Sequence, residues 1–199
     1  MVHDRDVTAF ADRAPGYEQG WLGRMHRDIA ERTVDLALST CPRPRRVLDI
    51  GCGTGYLLRS LASRCPGAIA LHGVDPAAPM VEVARTSADD DRLHFSSAAA
   101  EHLPFVDGTF DLVVSTTSFD HWSDQQAGLG ECSRVLVPGG HLVLVDQFSL
   151  WLSPTLVITH RGKARTKRRC SRLLRAAGLR RPAWHELYSV IVKAVTATA

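Results

Sequence analysis

Val47-Leu48-Asp49-Ile50-Gly51-Cys52-Gly53-Thr54-Gly55 is the stretch that decides the fold of this 199-residue chain. A short apolar run broken by one carboxylate leads into three glycines at alternate positions. Glycine adopts the left-handed backbone of a sharp turn and lets a ligand approach the main chain closely. A helix is expected to follow, from about Thr54 to Arg64, closed by Cys65-Pro66-Gly67.

Several ligand classes use a glycine turn between strand and helix. A dinucleotide site takes Gly-x-Gly-x-x-Gly, with the pyrophosphate on the helix N-terminus. Here the third glycine comes one place early, and Tyr56 occupies the slot expected for close helix–strand packing. Asp49 stands two residues before the turn, where a carboxylate repels a pyrophosphate and suits an ammonium group. A P-loop is excluded because no Gly-Lys-Ser/Thr follows. Asp75 lies 20 residues beyond Gly55, just after the next apolar run, where a carboxylate can accept hydrogen bonds from both ribose hydroxyls. Its other reading is a cap for the helix that begins behind Pro76. A ribose, no pyrophosphate and a cationic amino-acid end together describe S-adenosylmethionine.

Outward from the turn, the first 45 residues read as helical, stopped by Cys41-Pro42-Arg43-Pro44. Strands are expected at Ile69–Val74, Leu93–Ser97, Asp111–Ser115 and His141–Val145. Helices are expected at Pro79–Thr86, at Gln125–Leu136 before Pro138-Gly139-Gly140, and at about Ala164–Ala177 before Gly178. Two strands near Trp184–Tyr188 and Val190–Val195 finish the chain. This alternation implies an α/β fold with a parallel sheet covered on both faces, and ligands then bind at the carboxyl ends of the strands. We expect a single domain over 1–199, with an N-terminal helical cap at 1–45 and a Rossmann-like core at 46–199.

These motifs, in this order, resemble the class I S-adenosylmethionine-dependent methyltransferases, and within them the small-molecule enzymes of the ubiquinone/menaquinone type. The resemblance runs from about Ala11 to Val195. Val47 to Gly55 is similar to the family's first motif, and Gly73-Val74-Asp75 through Met80 to its second. Ala99-Ala100-Glu101-His102-Leu103-Pro104-Phe105 with Gly108-Thr109-Phe110-Asp111 is similar to its third. Arg134 to Gly140 is similar to the turn before the fifth strand. The resemblance implies a seven-stranded sheet of order 3-2-1-4-5-7-6 with the last strand antiparallel. It places Asp75 on the ribose, Met80 on adenine and Tyr17 over the methionine carboxylate. The cofactor-binding set implied is Tyr17, Asp49, Gly51, Cys52, Gly53, Gly55, Asp75, Pro76, Met80, Ala99, Ala100, Ser115 and Thr116. One departure is Ala99, where relatives commonly carry Asp for the adenine amino group.

The acceptor-facing segment is Ser115-Thr116-Thr117-Ser118-Phe119-Asp120-His121-Trp122. His121, with an ordinary pKa near neutrality, is the candidate base; its alternative is to tie this loop to the N-terminal cap. Trp122, Asp146, Phe148 and Trp151 are the candidate acceptor-pocket residues. Positioning a nucleophile against the sulfonium methyl can supply roughly 7–11 kcal/mol, so a base is needed only where the acceptor must lose a proton.

The net charge of +3 conceals an uneven distribution. Arg161 to Arg181 holds ten of the 24 basic residues and no acidic one, which leaves the remainder of the chain at −7. That block can be read as a polyanion-binding face, making the chain an RNA-modifying enzyme. It can equally be the solvated side of a covering helix whose Cys170, Leu173, Leu174 and Ala177 face inward. No aromatic residue is interleaved with the cations, which favours the second reading. A non-catalytic cofactor-binding domain is the third possibility. Five widely spaced cysteines with no Cys-x-x-Cys, and nine histidines without a His-x-x-x-His pair, suggest free thiols and no metal site. A charged N-terminus and the lack of any apolar run near ~18 residues point to no secretory signal and no membrane span, hence a cytoplasmic protein. The expected partner is a small-molecule acceptor rather than nucleic acid. Monomer and homodimer remain open.

Overall fold

The computed structural model describes residues 2–148, 166–188 and 191–199. Seven strands form one sheet in the order β3-β2-β1-β4-β5-β7-β6. They are β1 Arg46–Ile50, β2 Ala70–Asp75, β3 Leu93–Ser97, β4 Phe110–Thr116, β5 Leu136–Gln147, β6 Arg180–Glu186 and β7 Val192–Thr198. The first five pair in parallel, while β7 runs antiparallel to both β5 and β6. The helices are α1 Val2–Arg13, α2 Gly20–Thr40, α3 Tyr56–Arg64, α4 Ala78–Thr86, α5 Gln125–Val135 and α6 Lys167–Ala176.

Successive strand residues point to opposite faces, and both faces are apolar. Val47, Leu112, Val114, Val143 and Val145 pack under α2 and α3 with Ile29, Val34, Leu58 and Leu61. Leu48, Ile50, Val113, Leu142 and Leu144 pack under α5 and α6 with Leu129, Cys132, Cys170 and Leu174. Helix α2 therefore shares the central core, and a third cluster joins α1 to α4. In it, Ala14, Ala77 and Met80 are buried with Val7, Phe10 and Tyr17 against them. β1 lies between β2 and β4, so the chain reverses its direction of travel across the sheet beside the glycine turn.

Three boundaries differ from the sequence reading. Helix α5 stops at Val135, and Leu136 already pairs with Phe110; the register then jumps to Leu112↔His141, so Pro138-Gly139-Gly140 form an irregularity within β5. β6 begins at Arg180, earlier than its apolar residues suggest. It is an edge strand whose charged start is exposed, with a register shift between Arg180 and Ala183 and a left-handed Arg181 (φ 52°). β7 extends through Thr196 to Thr198 because its polar end continues the antiparallel ladder with β5. The basic helix is described from Lys167, with the Thr166 side chain accepting from the Arg169 N–H at 3.2 Å; Ala164 and Arg165 lie outside the described residues.

Candidate functional site

The turn after β1 is built by close contacts that only glycine permits. A Cβ on Gly51 (φ +74°) would lie 2.3 Å from the Ser118 Cβ, so the loop after β4 rests directly on the turn. A Cβ on Gly55 (φ +79°) would lie 2.7 Å from the Phe95 ring. The close packing expected at Tyr56 is thus made at Gly55.

Two adjoining cavities open at the carboxyl ends of the strands. The larger, about 720 Å³ with its mouth, is lined by Asp75, Pro76, Ala77, Met80 and Ala98 to Glu101 on one side. Val7, Phe10, Tyr17, Thr116 to Ser118, His121 and Trp122 close the other. The second, about 530 Å³, lies between α2 and the glycine turn, lined by Tyr17, Glu18, His26, Arg27, Asp49, Cys52, Gly53, Thr54 and Thr116 among others. Tyr17, Gly51, Gly53, Thr116 and Thr117 border both.

The smaller cavity carries unmet polar groups. Among the described residues, three buried side-chain atoms have no hydrogen-bond partner: His26 Nδ1, Asp49 Oδ1 and Thr116 Oγ1. All three residues line it. An unmet buried polar atom costs about 1–3 kcal/mol, so three converging on one cavity mark a place shaped for a polar ligand. Asp49 is 2% exposed. Burial, with the Asp75 charge adding to it, pushes its pKa up to about 8. Burial lowers the pKa of His26. Its ring stacks on Tyr17 at 5.1 Å between centroids.

Residues 48–144 match the family model described as a methyltransferase domain. The chain is 44% identical over 144 residues to a demethylmenaquinone methyltransferase of Thermus thermophilus, covering 69% of this chain and 63% of that protein. It is 38% identical over 142 residues to a malonyl-[acyl-carrier protein] O-methyltransferase of Geobacter sulfurreducens, covering 70% and 52%. Over residues 48–144 the chain is thus similar in sequence to methyltransferase domains. It spans between about half and two thirds of the length of these two curated relatives. A chain from the solved complex between the Haloferax volcanii Trm112 methyltransferase activator and a methyltransferase shares the fold, with a TM-score of 0.82, 23% identity and 97% of each chain covered.

In this methyltransferase fold most of the residues named from the sequence come together. Tyr17, Gly51, Gly53, Asp75, Pro76, Met80, Ala99, Ala100, Thr116, His121 and Trp122 line the larger cavity, and Asp49 and Cys52 the smaller. Asp75 does two jobs at once. Its Oδ1 accepts from the Ala77 N–H at 2.9 Å, and its Oδ2 from the Gly53 N–H at 3.0 Å. Helix α4 has Ala77 at its N-cap and no side-chain capping bond, so Asp75 does not cap it; its carboxylate ties the segment before that helix to the glycine turn. Its pKa is raised, first by burial, against the pull of those two N–H groups. Burial and the Asp75 charge push the Tyr17 phenol up to about 12, so it remains a donor at neutral pH.

Four of the named residues are placed elsewhere. Ser115 is fully buried and lines neither cavity; its Oγ is 2.7 Å from that of Ser118. β4 runs on through Thr116, so the side-chain alternation turns Thr116 toward the site and Ser115 away. Gly55 is a packing glycine, as above. Phe148 is buried in the core between Phe119 and Trp184. Asp146 is buried and lines neither cavity; its Oδ2 accepts from the Asp120 N–H at 2.9 Å and so holds the 3-10 turn Phe119–His121. Burial and the Asp120 charge push its pKa up to about 6. Trp151 lies outside the described residues.

The sequence reading missed His26, Glu18 and Arg27, because nothing in the pattern of α2 shows that its first turns cross the glycine turn. Thr117 and Ser118 show no role in the sequence pattern either. Thr117 is left-handed at φ 54° and borders both cavities. The Ser118 Oγ donates to the Ile50 carbonyl at 2.9 Å and accepts from the Trp122 indole N–H at 3.2 Å.

Proposed function

We propose that this chain binds S-adenosylmethionine across the two cavities and transfers its methyl group to oxygen, nitrogen or sulfur of a small, partly apolar molecule, leaving S-adenosylhomocysteine. The observation that carries the reading is the convergence of His26 Nδ1, Asp49 Oδ1 and Thr116 Oγ1 on one cavity beside Asp75. An amino-acid end supplies what those atoms lack: an ammonium for Asp49, and further polar groups for His26 and Thr116. The Tyr17 hydroxyl, protonated at neutral pH, is a donor suited to a carboxylate. In the larger cavity, Met80 and Ala77 offer apolar surface for the base, and the Asp75 carboxylate an acceptor for the ribose. With Ala at position 99, the base edge is left to main-chain groups of Ala99 and Ala100.

When bound, the cofactor supplies an electrophilic methyl on a sulfonium. The protein's own contribution is to position and to exclude water. Val7, Phe10 and Trp122 offer apolar surface where an acceptor would enter, and His121, held edge-on to Phe10 at 5.1 Å between ring centroids, is the titratable group among them. His121 is the base for acceptors that must lose a proton. The curated relatives named above, acting on demethylmenaquinone and on malonyl-[acyl-carrier protein], favour this reading over RNA modification or cofactor binding without catalysis. α6 fits it as well, since Cys170 and Leu174 are buried and the arginines face solvent. Monomer and homodimer fit equally. A cytoplasmic setting agrees with free cysteines and with the lack, among the described residues, of a helix long and apolar enough to cross a membrane. Screening an acceptor library for S-adenosylhomocysteine release tests the reading; no turnover with any acceptor by a chain that binds the cofactor would favour the non-catalytic alternative.

A further inference from the structure

The wall of the smaller cavity that carries Tyr17 and His26 comes from the N-terminal 40 residues, and Glu18 fastens it to the glycine turn. Glu18 follows the 3-10 turn Ala14–Gly16 and precedes α2. Its Oε1 accepts from the Thr54 hydroxyl at 2.6 Å and from an Arg59 Nη at 2.9 Å. The other Nη of Arg59 donates to the Thr54 carbonyl at 2.6 Å. One carboxylate oxygen thus joins the N-terminal segment to both the turn and the first turn of α3. The Glu18 main chain is itself held: its carbonyl accepts from Arg27, and a Cβ on Gly23 would lie 2.3 Å from that carbonyl group. Glu18 and Thr54 both line the cavity, and the ion pair is half-buried, with side-chain exposures of 32% and 19%.

We infer that Glu18 is a positioning residue that closes the N-terminal segment over the amino-acid end of the cofactor, and that opening its contact with Thr54 and Arg59 sets how fast cofactor and product exchange. The inference rests on the proposed cofactor site. A carboxylate accepting two hydrogen bonds, one from a cation, is a strong fastening, yet partial exposure leaves it within reach of water, so it can open without unfolding the core. Tyr17 is adjacent in sequence and precedes α2, whose Ile29 and Val34 stay in the core, so releasing Glu18 frees Tyr17 and the segment around it from the cavity while His26 keeps its place.

The test is stopped-flow dissociation of S-adenosylhomocysteine from the full chain, with the melting temperature of each ligand-free variant measured alongside. Glu18→Gln keeps the shape and removes the charge, and Thr54→Val keeps the shape and removes the hydroxyl. Each is expected to speed dissociation by roughly tenfold or more with little change in melting temperature. Asp28→Asn, which removes the exposed 3.4 Å pair with Arg32 on α2, is expected to leave the rate unchanged. If wild type binds the product and both Glu18→Gln and Thr54→Val release it at the wild-type rate, the positioning role is overturned while the site stands. If Glu18→Gln does not fold, Thr54→Val alone decides. No binding by folded wild type overturns the site and this inference with it.

Discussion

Asp49 and Asp75 stand on adjacent parallel strands, Asp49 paired in register with Gly73, and the charge on Asp75 adds to burial in raising the Asp49 carboxyl to about pH 8. Two buried carboxyls so close favour a neutral Asp49 in the ligand-free protein at pH 7. An ammonium placed against Asp49 reverses that preference. Binding of S-adenosylmethionine should therefore release a proton from Asp49 below pH 8. The affinity should climb between pH 6 and 8, approaching tenfold per unit, and then level off. Titration calorimetry in buffers of different ionisation enthalpy reads the proton directly, and Asp49→Asn should remove both the release and the slope.

The same carboxyl makes the ligand-free fold sensitive to alkali. A carboxyl whose folded pKa lies above its unfolded value binds its proton more tightly when folded. Its contribution is complete below the unfolded pKa near 4 and is lost as pH rises through the folded one. For Asp146 the window closes at about 6, for Asp49 at about 8. Thermal melts should fall from pH 5 to pH 8.5, and Asp49→Asn should flatten the upper half of that fall, at about 2–4 °C for each kcal/mol. A melting temperature independent of pH over this range would contradict the buried, uncompensated state of Asp49.

Gly55→Ala should destabilise the fold by about 1–3 kcal/mol, through a positive φ and a contact with Phe95 at 2.7 Å. Phe95→Leu in the same chain should recover the part due to the ring and leave the part due to φ. Denaturant unfolding of the single and double variants separates the two.

Asp146, the penultimate residue of β5, holds the main chain of Asp120, one residue before His121. Asp146→Ala should therefore lower turnover by roughly tenfold while leaving the affinity for S-adenosylhomocysteine within about twofold, since Asp146 lines neither cavity. The melting temperature should drop too, because the Asp120 N–H loses a buried partner. His121→Ala should lower turnover of a hydroxyl acceptor by roughly 100-fold and leave turnover of an acceptor that needs no deprotonation.

Much of the arrangement could be read before the structure, for reasons particular residues make plain. The runs Val47–Ile50 and Leu142–Val145 have the length and apolar character of parallel strands buried on both faces, with Gly51 directly after the first and Pro138-Gly139-Gly140 just before the second. The glycine turn, Asp49 and Asp75 bear chemistry tied to sequence spacing, and the family resemblance they help to carry implied the strand order that the sheet has. What escaped was set by tertiary contact. Ser115 and Thr116 are both small and hydroxylic, and only the point at which β4 ends decides which one faces the site. Asp146 lies near the end of a buried strand and Phe148 just after it, and whether they enter a pocket or a core depends on α6 and the 3-10 turn packed beside them. His26 and Glu18 carry no motif; they matter because α2 is laid across a turn some 30 residues further on.

The central claim is that the two cavities hold S-adenosylmethionine through Asp75 and Asp49. The most direct measurement is calorimetric titration of S-adenosylhomocysteine into wild type and Asp75→Asn, each checked for native melting. One molecule should bind per chain, and Asp75→Asn should weaken binding by roughly 10- to 100-fold, the loss of a charged acceptor for two ribose hydroxyls. No binding by folded wild type, or unchanged binding by a folded Asp75→Asn variant, would contradict the account.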